Sequence, residues 1–487
     1  MTNWIDLLIL VVYVIGITLF GCSFFFRKGS GDANTFMSGG MKLPTWTIAL
    51  SIFATHVSSL SFLGLPAKAF LTNWNPYVLS MTVPVAAAIA AIWFIPFYRN
   101  SGCLSAYSFL ERRFGTWARL YASACFIIMQ SARAGVILYL LALLMKSVLG
   151  YSVVSIILIT GIATIIYSMM GGLSAVVWTD AIQSLILIGG TVLCIVLLGF
   201  NIPNLGEGIS TAWDAGKFSL GSLSLSDWST ETFWVTCFYA MFINLQNFGI
   251  DQSFTQRYVA AKTTKAAVKS LLSSAFLYLV TTLLFVLIGS LLWIWTQNAP
   301  EQLPAEVAAH SDAVFPWFIV HKLPVGASGL LVAAIVAAAM STVSTTLNSG
   351  ATVLLEDYWK RFFPARVSEK SNISFLRYAS IGLGLFAVVV AVAVMNVTSA
   401  LTAFWAMQSV LSGGMLGLFL LGAFSRRCRP TRALIAAICG FAVLIWVTFG
   451  QKILPLPQLL HINLAIVLGT LTLVLIGAGC PWKRGNG

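Results

Sequence analysis

The residues that invite chemistry are hydroxyls set where the chain is otherwise apolar. From Thr55 to Ser61 the sequence reads Thr-His-Val-Ser-Ser-Leu-Ser, five polar residues inside an apolar stretch over 44–70. As one helix, that stretch would rise about 40 Å at roughly 1.5 Å per residue. A hydrocarbon core of about 30 Å needs less. A helix broken near its middle explains both the length and the polar run. Such a break frees backbone carbonyls and amides, which is tolerable only where they face a cavity or a bound ion. The alternative is one tilted helix whose serines pack against a neighbour, since small polar residues favour close helix contact.

A second hydroxyl run extends from Ala337 to Ser349. Ala338, Ser341 and Thr342 are spaced i, i+3, i+4 and share one helix face. Ser341, Ser344 and Thr345 repeat the spacing on an adjacent face. Hydroxyl and carbonyl oxygens are the hard ligands that a dehydrated alkali cation needs. The run holds no carboxylate, so a monovalent ion suits it better than calcium. Serine-rich helix packing is again the alternative.

Three charged residues stand out. Asp180 follows Gly171-Gly172-Leu173 near the start of an apolar stretch. A carboxylate within a span is a functional candidate unless it sits solvated at the interface. Arg133, in Gln130-Ser131-Ala132-Arg133, is too far from the ends of its stretch for easy snorkelling. Its planar fork suits a carboxylate, or else several backbone carbonyls. Lys68 lies near the outer end of its stretch and is expected to snorkel. Of the four histidines only His56 lies well inside a span, as a pocket-lining or packed residue.

The elements that must hold these residues are membrane helices. The chain has 487 residues, 59% hydrophobic and 9% charged, against about 25% charged in a soluble protein. Apolar segments show no sustained period-2 alternation, which favours helices over barrel strands. The pattern predicts thirteen spans, roughly 4–26, 44–70, 75–98, 119–148, 152–170, 174–200, 230–250, 267–296, 327–356, 373–397, 399–424, 431–450 and 460–480. The whole chain, 1–487, reads as one transmembrane unit. Spans 2–6 (44–200) and 7–11 (230–424) make two five-helix halves of opposite topology, the plan of an inverted repeat.

The net charge of +13 raises the question of nucleic acid, but the basic residues form no single patch. They sit in short gaps between spans. With the N-terminus outside, 22 basic residues fall on the inner side, from Arg27 and Lys28 through Arg257 to Lys483 and Arg484. Four fall outside: Lys146, Lys217, Lys322 and Lys452. That asymmetry sets the orientation and puts the C-terminus in the cytoplasm. The run from Trp4 to Phe26 has no basic residues before it and reads as a span rather than a cleaved signal. The eight cysteines contain no CxxC pair and suggest neither a disulfide framework nor a thiolate metal site. No paired acid/base motif points to a membrane-embedded enzyme.

Taken together, Gly171-Gly172-Leu173 through Asp180 and Gln183, Asp251-Gln252 through Gln256-Arg257, and Ala338 through Asn348-Ser349 resemble the sodium/solute symporter family. The resemblance runs from about residue 4 to residue 480. It implies a leucine-transporter-like fold with a 5+5 inverted repeat and flanking helices. It implies one sodium ion at the carbonyls of Ala54, Val57 and Ala338 and the hydroxyls of Ser341 and Thr342. It implies a second near Asp180, Ser341, Ser344 and Thr345. Ser58-Ser59-Leu60-Ser61-Phe62, Pro66-Ala67-Lys68 and Arg133 look like the sialic acid branch, in which the serines and the arginine hold the substrate carboxylate. His56 and Ser80 depart from that branch, so the polyol end of the substrate is expected to meet a different wall. Asn247 and Phe248 are placed as lining or gating residues. The expected partners are a small solute and the lipid bilayer, with no nucleic acid. A neutral sugar, a monocarboxylate or an amino acid remains an alternative cargo, and a passive channel or sensor an alternative class.

Overall fold

The computed structural model describes residues 3–26, 32–102, 104–298, 303, 304, 307, 311–395, 400–425, 428–453 and 460–479. Arg27, Lys28, Arg426, Arg427, Lys483 and Arg484 lie outside the described residues, as does most of 299–310. The described residues are helical throughout, apart from connecting turns and one isolated bridge between Leu43 and Ala261. Among them nine helices are long and apolar enough to cross a membrane, or ten when a bent pair counts as one span. The chain is a multi-pass membrane protein.

The elements that position the site are α1 (Trp4–Ser23), α2 (Thr45–His56), α3 (Ser59–Leu71), α4 (Thr116–Leu149), α5 (Val153–Phe200), α6 (Phe233–Ile250), α7 (Gln252–Ala260), α8 (Thr264–Asn298) and α9 (Ala327–Val353). α5 packs along α9, and α1 packs against both. Every residue of α9 from Leu331 to Val353 is buried. A helix that is apolar or weakly polar on all sides, with all its backbone bonds internal, is the natural centre of such a bundle.

The difference between thirteen expected spans and nine or ten helices has identifiable origins. Residues 152–170 and 174–200 were expected as two spans; they join as α5, 48 residues with one non-helical residue inside, Gly172 at φ 57 and ψ −157. At about 1.5 Å per residue, 48 residues would run to about 72 Å, so Gly172 is where the path must change. A Cβ there would lie 2.8 Å from the Phe36 ring, and positive φ already favours glycine. α6 is apolar but carries Asn244, Gln246 and Asn247 in its last two turns. The final helix, Ile462–Ala478, is short.

Beyond α6 the expected loop is a buried helix. Asp251 is extended (φ −72, ψ 126), and its carboxylate accepts the Ser253 N–H at 2.7 Å, capping α7. All nine residues of α7 are buried. Arg257, expected among the basic residues of an inner loop, is therefore 1% exposed. Lys68, in the last turn of α3, pairs its ammonium with Glu231 at 2.6 Å. A carboxylate at the start of the chain serves packing too. Asp6, buried in the first turn of α1, accepts the backbone N–H groups of Gly326 and Gly329 at 2.8 and 2.9 Å. It thus caps the N-terminal end of α9, where amides lack intrahelical partners.

Candidate functional site

The break expected in the second span is present. α2 ends at His56, Val57 and Ser58 are extended, and α3 starts at Ser59 with the two axes bent by 56°. The local sequence favours this. Val57 is β-branched and loses rotamer freedom in a helix. Serine competes for backbone bonds and suits a helix start, and Ser58 accepts the Ser61 and Phe62 N–H groups at 3.0 and 3.1 Å through its carbonyl. At the end of α2 the Phe53 carbonyl takes the Val57 N–H at 2.8 Å. The Thr55 carbonyl takes an Arg133 N–H at 3.2 Å. The carbonyls of Ala54 and Val57 fall in the interval where helical partners run out.

Arg133 reaches this break from α4, half-buried. The carbonyl contact is one of the backbone partners expected for it, but among the described residues it engages one Nη, so the fork retains donors for an anion. Ser58 and Ser59, at the break itself, are buried, and Ser61 is half-buried in the first turn of α3. His56 stands in an aromatic nest: its ring centroid lies 4.1 Å from Tyr278 of α8, 5.1 Å from Phe248 and 5.8 Å from Phe254. The Asn244 side chain is its polar neighbour. Asn247, half-buried, precedes Phe248 on α6. Among the buried side-chain atoms without a hydrogen-bond partner in the described residues are His56 Nδ1, Ser59 Oγ, Ser80 Oγ on the short helix Val78–Met81, and Asn244 Oδ1. An orphaned buried polar atom costs about 1–3 kcal/mol. Four of them on the elements around a helix break suit a polar ligand or water.

The hydroxyl face of α9 meets the same region from the other side. Asp180 is fully buried and is not an interfacial, solvated group. Its Oδ1 accepts from Ser341 Oγ at 2.7 Å, and its Oδ2 accepts from Ser51 Oγ of α2 at 2.6 Å. One carboxylate thus ties α2, α5 and α9 side by side. Ala54 lies one turn beyond Ser51, and Ala338 one turn before Ser341. Thr342 Oγ1 donates to the Ala338 carbonyl at 3.1 Å, and Ser344 Oγ to the Ser341 carbonyl at 3.0 Å. Both hydroxyl protons are directed at backbone, which leaves oxygen lone pairs for a cation. Thr345 Oγ1 accepts from Arg257 Nη2 at 2.7 Å.

Sequence reasoning missed three participants. Ser51 carried no signal beyond being a serine within a span. Arg257 was assigned to a loop. Asp251, buried, accepts from Gln130 Nε2 at 2.9 Å, one turn from Arg133 on α4. A carboxylate beside a second helix break was the available clue.

Three comparisons bear on this arrangement. The profile of the Sodium:solute symporter family matches residues 36–440. The sodium/sialic acid symporter SiaT of Proteus mirabilis is 30% identical over 479 residues, 98% of this chain and 94% of that protein. The sodium/sialic acid symporter NanT of Aliivibrio fischeri is 30% identical, over 93% of this chain and 88% of its own. Among solved structures, the substrate-bound outward-open state of a Na+-coupled sialic acid symporter superposes with a TM-score of 0.91 at 29% identity, covering 98% of this chain and 97% of that one. The match therefore runs through the broken helix, the hydroxyl helix and Asp180 alike, and the chain belongs to the sodium:solute symporter family.

Proposed function

We propose that this protein imports sialic acid, a small acidic sugar, together with two sodium ions by alternating access. The observation that carries the reading is the joining of a broken helix to a hydroxyl-rich helix through Asp180, with Arg133 at the break. The first sodium takes the carbonyls of Ala54, Val57 and Ala338 and the hydroxyls of Ser341 and Thr342. It draws α2 and α9 together and so favours the form that binds substrate. The second takes Asp180, Ser341, Ser344 and Thr345. Ser58, Ser59, Ser61 and Arg133 hold the substrate carboxylate, while His56, Asn247 and Phe248 line the rest of the cavity. Coupling requires each ligand to favour the same state. The frame for this motion is thirteen spans in a leucine-transporter-like inverted repeat, 44–200 against 230–424, in a bacterial inner membrane with the N-terminus outside.

Charge counting gives a direct test. A substrate monoanion with two sodium ions moves one net positive charge inward, whereas one sodium would be neutral. An inside-negative potential of 100 mV contributes about 2.3 kcal/mol per charge. Labelled sialic acid should therefore accumulate in proteoliposomes against its gradient only with inward sodium, and faster when the interior is negative. Absence of sodium-dependent uptake, with uptake of a neutral sugar, a monocarboxylate or proline instead, would refute the cargo. Equilibration without accumulation would refute symport.

Ser341 serves both sodium positions. Ser341→Ala should raise the half-saturating sodium concentration for uptake about tenfold, equivalent to roughly 1.4 kcal/mol. Sodium dependence equal to the parent's would remove Ser341 from the ion sites.

A further inference from the structure

Two of the four groups given to the second sodium are engaged by a cation of the protein's own. Arg257 Nη2 lies 2.8 Å from Asp180 Oδ2 and 2.7 Å from Thr345 Oγ1, bridging them. Its Nε donates to Ser51 Oγ at 2.7 Å, and its Nη1 to the Ser253 carbonyl at 2.6 Å. Arg257, Asp180, Ser51 and Thr345 are all buried. An N–H between two oxygens and a sodium ion between the same two oxygens exclude each other. We infer that Arg257 is a tethered cation that sodium must displace from Asp180 and Thr345 before the second ion is held. This rests on the two-sodium reading and adds a residue that sets the affinity of that ion.

The surroundings fit a guanidinium that can yield. Its own helix, α7, is nine residues long and separated from α6 by the extended Asp251. The Ser253 contact lies within α7, one turn back, so the side chain can withdraw while keeping it. The other three contacts all cross to different helices: Ser51 on α2, Asp180 on α5 and Thr345 on α9. Sodium arriving at Asp180 therefore removes the Arg257 bonds to α5 and to Thr345 of α9, while Ser253–Ser349 and Gln256–Thr352 still hold α7 to α9. Like charges sharing one buried carboxylate repel strongly, so sodium binds there against Arg257 rather than beside it.

The test is sodium titration of the purified full-length chain in detergent, with choline chloride holding ionic strength, read by tryptophan fluorescence and thermal unfolding. Arg257→Gln removes the competitor and leaves Asp180 for sodium alone. The variant should bind sodium at least about tenfold more tightly than the parent, and sodium should raise its melting temperature more. If the variant is too unstable to isolate in choline, recovery in sodium supports the inference; equal loss in both salts overturns it. A folded Arg257→Gln whose titration overlays the parent's, or is weaker, also overturns it. Counting bound ions in the parent separates the two ideas. Two sodium ions with an unaltered Arg257→Gln titration would sink this inference alone. One sodium ion, unaffected by Ser344→Ala, would sink the second site and this inference with it.

Discussion

Arg133→Ala should cut sodium-driven uptake of sialic acid into proteoliposomes at least about 30-fold. Truncating one partner of a buried, hydrogen-bonded charge pair costs about 2–5 kcal/mol. The lower end of that range already gives a factor near 30. Arg133 comes from α4 to the break between α2 and α3, where its hydrogen bond among the described residues is to the Thr55 carbonyl. The loss should fall on substrate binding, so sodium binding measured without substrate should persist. Uptake within threefold of the parent would take the substrate carboxylate away from Arg133. It would leave the aromatic nest around His56 as the principal recognition surface.

Asp180→Ala should lower stability by about 3–5 kcal/mol, the usual consequence of leaving a buried charge without its partner. Asp180 and Arg257 are 0% and 1% exposed in the side chain, so solvent cannot screen the remaining guanidinium. Ser51 and Ser341 would lose their acceptor as well. Unfolding followed in detergent should show the loss in choline and a larger one in sodium, because the variant also forfeits the ion that Asp180 is proposed to hold in the parent. A melting temperature unchanged from the parent would mean that Arg257 finds other acceptors. It would also mean that Asp180 is dispensable to the packing of α2, α5 and α9.

Much of this site could be read from residue type and spacing. The break near Val57 announced itself because five polar residues interrupt an apolar stretch that is too long for one crossing. The common face of Ser341 and Thr342 followed from helical periodicity alone. Asp180 was conspicuous because a carboxylate is rare in such surroundings. Its partner was not legible. Arg257 lies 77 residues away, among lysines and arginines that count toward topology, and nothing local distinguishes a buried arginine from a solvated one. The same reason hid the pairing of Lys68 with Glu231, which join across 163 residues. The helix count was harder still. The parting of 152–170 from 174–200 was legible, and Gly172 does turn that run into two segments; the polar end of α6 and the short last helix were not. α7 looked like a loop because its residues are polar, yet they are buried against other polar groups. Composition reports how polar a segment is, not whether its polar atoms find partners inside.

The cap that Asp6 places on α9 fixes α1 to the start of α9. A helix sliding by one residue advances about 1.5 Å, which would stretch bonds of 2.8 and 2.9 Å beyond any useful length. α1 and the start of α9, the helix proposed to hold sodium, should then move together. In the proposed transport cycle, opening would then fall to the helices interrupted at Val57 and Asp251.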